Sequence, residues 1–459
     1  ETALACALKM ENDEAFQLLQ EFGADLSQTF QDKNGKVCSS ISRDKVGNTL
    51  LHQAVLRNDV TDVTLCLEKN VFDLEAKNTE KATILHCAAK TGNIEVVSLL
   101  LKKEAKLEAR DKHGETPLFT AIRHQNEQVV EHLITSGANL EARNDRQETV
   151  LHLTVPWGNT KILQLLLKRN PNLLEAKDQD AMTPLFTALR YRQEEVAEQL
   201  IKYGADLEAR NNNQETLLYC ASREGYIKIV QLLLERKISL EARDAFGKTP
   251  LITAIWERHD QVVEQLIISG ADLEARNKSQ QTPLHLASSW GNIKIVRLLL
   301  ERKLNLLVEK DIDGNTPLFI AILHGHEEVV KQLIISGAKL EARNKWQETP
   351  LHYASFFGNT KIVQLLLKRK PNLLDAKNKN GNTPLTTAIQ ERHEEVVEQL
   401  IISGANLEAK NKWQESPLHL ATSWGNIKIV EQLIISGADL EVRNNRQQTP
   451  LHVASPWGN

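Results

Sequence analysis

The sequence predicts an all-α solenoid of about 14 stacked helix-turn-helix units, and three observations predict it. A start led by Thr or Ser recurs at residues 2, 49, 83, 116, 149, 183, 216, 249, 282, 316, 349, 383, 416 and 449, and after a first gap of 47 every gap is 33 or 34 residues. A fixed period of this size is the signature of a repeat array. Within each copy a short apolar stretch is followed by a longer one, with polar residues between copies. The composition is that of an ordinary globular chain, 41% hydrophobic and 25% charged. The length of 459 residues alone suggests about three domains. The period overrides that estimate, because the core of a solenoid runs along its axis.

The copy that begins at Thr282 justifies each element in turn. Thr282 is suited to the N-cap, where its hydroxyl meets the free amides of the first turn. Pro283 falls at the first helical position, where a missing N–H costs nothing. Leu284 and Ala287 share one helix face, and the small Ala287 admits a neighbouring helix. Gly291 ends this helix. A second helix is predicted from Ile293 to Leu300. Ile295, Val296, Leu298, Leu299 and Leu300 make it apolar around most of its circumference, as burial between two neighbours demands. The polar stretch Glu309 to Asn315 leads to the next start.

The start Thr282-Pro283-Leu284-His285 recurs as Thr349-Pro350-Leu351-His352, Ser416-Pro417-Leu418-His419 and Thr449-Pro450-Leu451-His452. With its spacing of 33, it resembles the start of the ankyrin repeat, and the resemblance covers nearly the whole chain. The resemblance implies that the polar stretches are projecting β-hairpin fingers. It also implies that partners are gripped by finger tips and by the exposed face of the first helix. Two departures stand out. The family places Gly before the Thr of each start, and Gly47, Gly114, Gly247, Gly314 and Gly381 hold that place here. In other fingers it is Gln147, Gln214, Gln280, Gln347, Gln414 or Gln447. A non-glycine residue with positive φ costs about 1–2 kcal/mol, so those fingers either turn differently or tolerate the cost. The family's Gly-Ala-Asp-Val-Asn-Ala becomes Gly270-Ala271-Asp272-Leu273-Glu274-Ala275, which removes the Asn that is hydroxylated in some ankyrin proteins.

Three regions are expected. Residues 1–26 form a divergent first repeat, with Thr2-Ala3-Leu4-Ala5 at its start. Residues 27–46 form an extended finger or insertion, with Asn34-Gly35 as its turn. Residues 47–459 form the regular array, with the last repeat truncated. The chain opens at Glu1 inside a repeat and stops at Asn459 ahead of a second helix, so it is expected to be a fragment of a longer protein. From Thr116 two repeat types alternate. One lacks the His of the start and has an acidic second helix, as in Glu394-Glu395-Val396-Val397-Glu398. The other keeps the His, or Tyr219 in one copy, and has a basic second helix carrying residues such as Lys361, Lys368, Arg369 and Lys370. Alternating signs on stacked neighbours predict salt bridges between repeats. The alternation breaks in the Ser416 repeat, whose His-type start precedes an acidic-type second helix.

Catalytic chemistry has no foothold in the sequence. There is no Walker-type loop, no His-Glu-x-x-His, no Cys-x-x-Cys and no Gly-x-Ser-x-Gly. His52, His86, His152, His285, His352, His419 and His452 all occupy the repeat start, too far apart along a stack to share a metal. They are expected to be structural, and no cofactor is expected. A net charge of −4 argues against nucleic acid as a partner. Cys6, Cys38, Cys66, Cys87 and Cys220 are odd in number and scattered, which fits free thiols in a reducing, cytoplasmic setting. No run of 18 apolar residues is present, so no membrane span is expected. The sequon Asn277-Lys278-Ser279 falls in a finger.

The aromatics carry the binding expectation. The two residues before the Gly that ends the first helix are Pro156-Trp157, Ser289-Trp290, Phe356-Phe357, Ser423-Trp424 and Pro456-Trp457, and Trp256 aligns with the first of such a pair. Phe246, Trp346 and Trp413 lie in fingers. Tryptophan is enriched at binding hot spots. Trp157, Trp256, Trp290, Trp346, Phe356, Phe357, Trp413, Trp424 and Trp457 are therefore the candidate partner-binding residues, forming an aromatic stripe along a concave face. The reading is a non-enzymatic scaffold or adaptor that binds other proteins. Alternatives are the cytoplasmic arm of a membrane channel, a secreted latrotoxin-like toxin or bacterial effector, and a regulatory subunit of a phosphatase or ligase. The stretch Arg343-Asn344-Lys345-Trp346-Gln347-Glu348 before Thr349 also looks like segments of rabankyrin-like endosomal adaptors.

Overall fold

The computed structural model describes residues 29–31, 37–39, 43–69 and 72–454. The divergent first repeat at 1–26 and Trp457 lie outside the described residues. Two compact units are present, Glu1–Leu217 and Leu218–Asn459. Within each, a short first helix and a longer second helix alternate.

The Thr282 repeat shows why. Thr282 is extended (φ −86°, ψ 167°) and caps the helix Pro283–Ser289, which buries Leu284, His285, Leu286 and Ala287. Gly291 turns the chain at φ +70°, and Asn292 caps the second helix by accepting from the amide of Ile295 at 3.2 Å. That helix runs Ile293–Arg302, two residues beyond the expected end, and buries Ile295, Val296, Leu299 and Leu300. Each such side chain contributes roughly 1.5–3 kcal/mol by leaving water. In the copies from Thr149, Thr282 and Thr349, whose next start is 34 residues on, the extra residue enters a 3-10 turn after the second helix. Pro171–Glu175, Leu304–Val308 and Pro371–Leu373 are such turns.

The histidine of the start stitches one repeat to the next. The backbone N–H of Thr282 donates to Nδ1 of His285 at 3.2 Å, and the Thr282 hydroxyl lies 2.8 Å from the same nitrogen. Nδ1 therefore accepts, which leaves the proton on Nε2, and Nε2 donates to the carbonyl of Asn315 in the next repeat at 3.0 Å. His86, His152, His352 and His419 make the same pair of contacts. Burial disfavours a charged imidazole, and it brings His285 and His352 down to about 4, against the pull of the carbonyls they bond. All five act as structural pins, and His285 and His352 are neutral.

The fingers depart from the expected β-hairpins. Among residues 43–454 they are tight turns with isolated bridges at Arg43–Thr49 and Arg210–Thr216. The paired strands of the described residues are Thr29–Gln31 and Val37–Ser39, antiparallel with Phe30 opposite Cys38. They lie in the segment expected to be an extended finger, on either side of Asn34-Gly35. In each regular finger an Asp or Asn side chain takes two backbone amides. Oδ1 of Asn344, for example, accepts from Trp346 and Glu348, both at 3.0 Å. An arginine, or a lysine in fingers such as that of Lys310, ties the finger to its neighbour. Nη1 of Arg343 donates to the carbonyls of Gln347 and Lys377, both at 2.7 Å. This settles the choice left open by the sequence. Gln147, Gln214, Gln280, Gln347, Gln414 and Gln447 all sit at φ between 58° and 61°, and Gly47, Gly114, Gly247, Gly314 and Gly381 between 72° and 78°. The turn is the same, and surrounding hydrogen bonds offset the strain.

The predicted bridges between repeats are present. On second helices, Lys161 pairs with Glu127 at 3.7 Å, Lys361 with Glu327 at 3.4 Å, Lys428 with Glu394 at 3.2 Å, and Lys294 with Glu264. Each joins a lysine near the start of one second helix to a glutamate of the acidic helix before it.

Candidate protein-binding surface

The candidate residues sit where a first helix ends and where a finger turns. Trp157 closes a 3-10 turn, Val155–Trp157, because Pro156 cannot continue the helix Val150–Thr154. Its side chain is 49% exposed. Trp424 follows the helix Pro417–Ser423 as its C-cap and is equally open. On the fingers, Trp346 and Trp413 are held outward because their own amides donate to Asn344 and Asn411. Their carbonyls accept from the next finger, from Lys379 at 2.8 Å and Asn445 at 3.2 Å. Tryptophan is enriched at binding hot spots.

The remaining candidates cluster with each other. Trp256 and Trp290 meet edge to face, with centroids 5.6 Å apart, and Trp290 is half-buried as a result. Phe356 and Phe357 are 4.9 Å apart. Phe357 also leans on Tyr353 at 5.8 Å, and Tyr353 leans on the fully buried Phe319 at 5.0 Å. These rings are both packing and surface. In the first unit a groove of about 610 Å³ runs between fingers and first helices, lined by residues including Lys90, Asp111, Arg123, His124 and Glu148. Arg123 is neutralised by Glu115. His124 is held below its ordinary value, first by burial and then by the charges of Lys90 and Arg123.

A second set of histidines escaped the sequence analysis. His259, His326 and His393 each precede an acidic second helix. Each reaches back to the first-helix end of the repeat before, where Nε2 meets the carbonyls of Arg223, Ser289 and Phe356 at 2.9, 2.8 and 2.9 Å. The rings lie on Gly225, Gly291 and Gly358 so closely that a Cβ there would come within 2.5–2.6 Å of Nδ1. Ser289 and Phe356, at the ends of their first helices, are thus fixed by the neighbour. The signal was a His recurring at the N-cap of acidic helices, but its target lies 36 or 37 residues upstream. No group of His, Cys, Asp and Glu among the described residues could hold a metal ion. Cys66, Cys87 and Cys220 are buried, and burial pushes the Cys87 thiol up to about 11.

The family model for "Ankyrin repeats (3 copies)" matches residues 51–144, 130–211, 208–277, 262–344, 332–411 and 396–459. The chain belongs to the ankyrin-repeat family. Ankyrin repeats bind other proteins. The chain is 33% identical over 124 residues to a Caenorhabditis elegans homolog of transient receptor potential cation channel subfamily A member 1. It is 35% identical over 118 residues to the probable 26S proteasome regulatory subunit p28 of Saccharomyces cerevisiae. It is 34% identical over 125 residues to mouse Rabankyrin-5. These matches take 27%, 26% and 27% of this chain, and span 10%, 52% and 10% of the relatives. The human ASB11 ankyrin repeat domain, a solved structure, aligns with a TM-score of 0.41 at 26% identity, over 46% of this chain and 93% of its own. Among the described residues no helix is long and apolar enough to cross a membrane.

Proposed function

We propose that this ankyrin array is a non-enzymatic scaffold that presents fixed aromatic side chains to partner proteins inside the cell. The observation that carries the reading is the repeated exposure of Trp157, Trp346, Trp413 and Trp424 at first-helix ends and finger turns. Each is anchored through backbone contacts that spare its ring. Anchored aromatics lose little conformational freedom on binding, and large rings bury much area per contact. Protein partners, with no nucleic acid and no cofactor, fit a chain of net charge −4 with no metal cluster among its described residues.

Affinity capture from lysate tests it, comparing the chain with a variant carrying Trp157→Ala, Trp346→Ala, Trp413→Ala and Trp424→Ala. The expected outcome is loss of the captured proteins while the melting temperature stays within about 4 °C, since exposed positions change stability little. Capture of the same proteins by both forms would sink the reading.

A further inference from the structure

In the second unit, three cations lie on three aromatic rings in one connected patch. Lys248 Nζ is 5.2 Å from the centroid of Trp256, and Lys278 Nζ is 5.1 Å from that of Phe246. The guanidinium of Arg258 is 4.3 Å from the ring of Trp290, and Trp290 in turn meets Trp256. Phe246 and Lys248 belong to one finger turn, pinned by their amides to Asp244 at 2.9 and 2.7 Å. Phe246 is 62% exposed, and Trp256, Arg258 and Lys278 are exposed as well.

The charges of this patch are unanswered. Among the described residues no carboxylate forms an ion pair with Lys248, Lys278 or Arg258. Lys161, Lys294, Lys361 and Lys428 on the second helices each have a glutamate. An aromatic face attracts a cation without neutralising it. The indole N–H of Trp290, shielded from water, also has no acceptor, although buried donors are nearly always satisfied. Cations, apolar rings and a spare donor together call for a ligand with negative charges, apolar groups and acceptors.

We propose that Phe246, Lys248, Trp256, Arg258, Lys278 and Trp290 dock an extended acidic peptide segment of a partner protein. Its carboxylates pair with the three cations, and its apolar side chains lie against the rings. The inference rests on the scaffold reading above and names the chemistry of one partner. A peptide suits the patch better than a nucleic acid does. Glu257 is exposed between Trp256 and Arg258, and a polymer with a phosphate on every unit would be forced against it. A peptide can place its acids opposite the cations alone.

The test is fluorescence anisotropy on the whole chain with short labelled peptides of alternating Glu and Leu, Lys and Leu, or Glu and Ser, and with oligothymidine. The Glu-Leu peptide is expected to bind and the Lys-Leu peptide to fail. Lys248→Gln, Arg258→Gln and Lys278→Gln together are expected to weaken the Glu-Leu peptide by about tenfold or more, as is raising salt from about 0.05 to about 0.5 M. Trp256→Ala and the Glu-Ser peptide are each expected to bind more weakly than the parent pair. Three results overturn the proposal: equal binding of the Lys-Leu peptide, full affinity in the triple variant, or displacement of the peptide by oligothymidine. The first two remove the acidic class, and the third gives the patch to a nucleic acid instead of a peptide. The scaffold reading falls separately, only if the capture experiment shows no loss.

Discussion

The Thr282 and Thr316 repeats are neighbours with the same first-helix length, yet they anchor that helix by opposite means. In the Thr282 repeat the fourth residue is His285, which caps its own helix and hydrogen-bonds Asn315 in the next repeat. In the Thr316 repeat it is Phe319, fully buried, whose ring meets Tyr353 of the next repeat. Both side chains cross to the following unit from the same place. The common requirement is reach, and polarity is free to vary. Tyr219 combines the two, with a buried ring and a hydroxyl donating to Asp244 at 2.8 Å.

The largest effect expected from this contrast is at Phe319. Phe319→Ala should cost about 3–5 kcal/mol by lost burial and the cavity left behind. His285→Ala should cost about 1–3 kcal/mol, from the orphaned Asn315 carbonyl and the lost cap. Urea unfolding of the two variants measures both, and the reverse ranking would break the comparison. Acid should separate the two repeat types next. His285 and His352 sit at about 4 when folded, below the 6.5 of the unfolded chain. Between those values only the unfolded chain binds the proton. Their contribution is complete above about 6.5 and is lost as pH falls toward about 4, on the order of 3 kcal/mol per histidine. Hydrogen exchange, corrected for its intrinsic pH dependence, should show Pro283–Ser289 and Pro350–Phe356 losing protection before Pro317–Leu323. Uniform loss would count against distinct anchors. The smallest effect lies in the bridges between the types. Lys361→Ala, which frees Glu327, should cost less than about 1 kcal/mol and vanish in high salt.

Much of this was legible in the sequence, because a repeat reports its own register. Thr282, Pro283 and Gly291 marked the first helix within a residue of its bounds, and the alternation of Lys361 with Glu394 foretold ion pairs between neighbours. The part that was illegible needed distances between repeats. Nothing in a sequence places His326 on Gly291, since the contact depends on how far one repeat is turned against the next. The same holds for Arg258 on Trp290. The exposed aromatics were named from their place in the motif. Which rings stand alone, like Trp424, and which lean on a partner, like Phe357, was decided by neighbours 33 or more residues away or by local packing. The fingers were misjudged as hairpins because the turn is closed by side chains such as Asn344, where strand pairing had been expected.

The finger turn has a further consequence, for how such a chain can change over generations. At the position two before each start, Gln347, Lys81, Ala181 and Gly314 all occupy the same left-handed backbone state. The geometry is imposed from outside, by the Asp or Asn side chain that takes backbone amides in each of these fingers, so the residue at the bend is not required to create it. Next to that bend the side chain varies from copy to copy: Trp346 in one, Arg146 in another, Asp313 in a third. Fold and address are written in separate letters, and a duplicated copy can be readdressed by one substitution while its spelling of the fold stays intact.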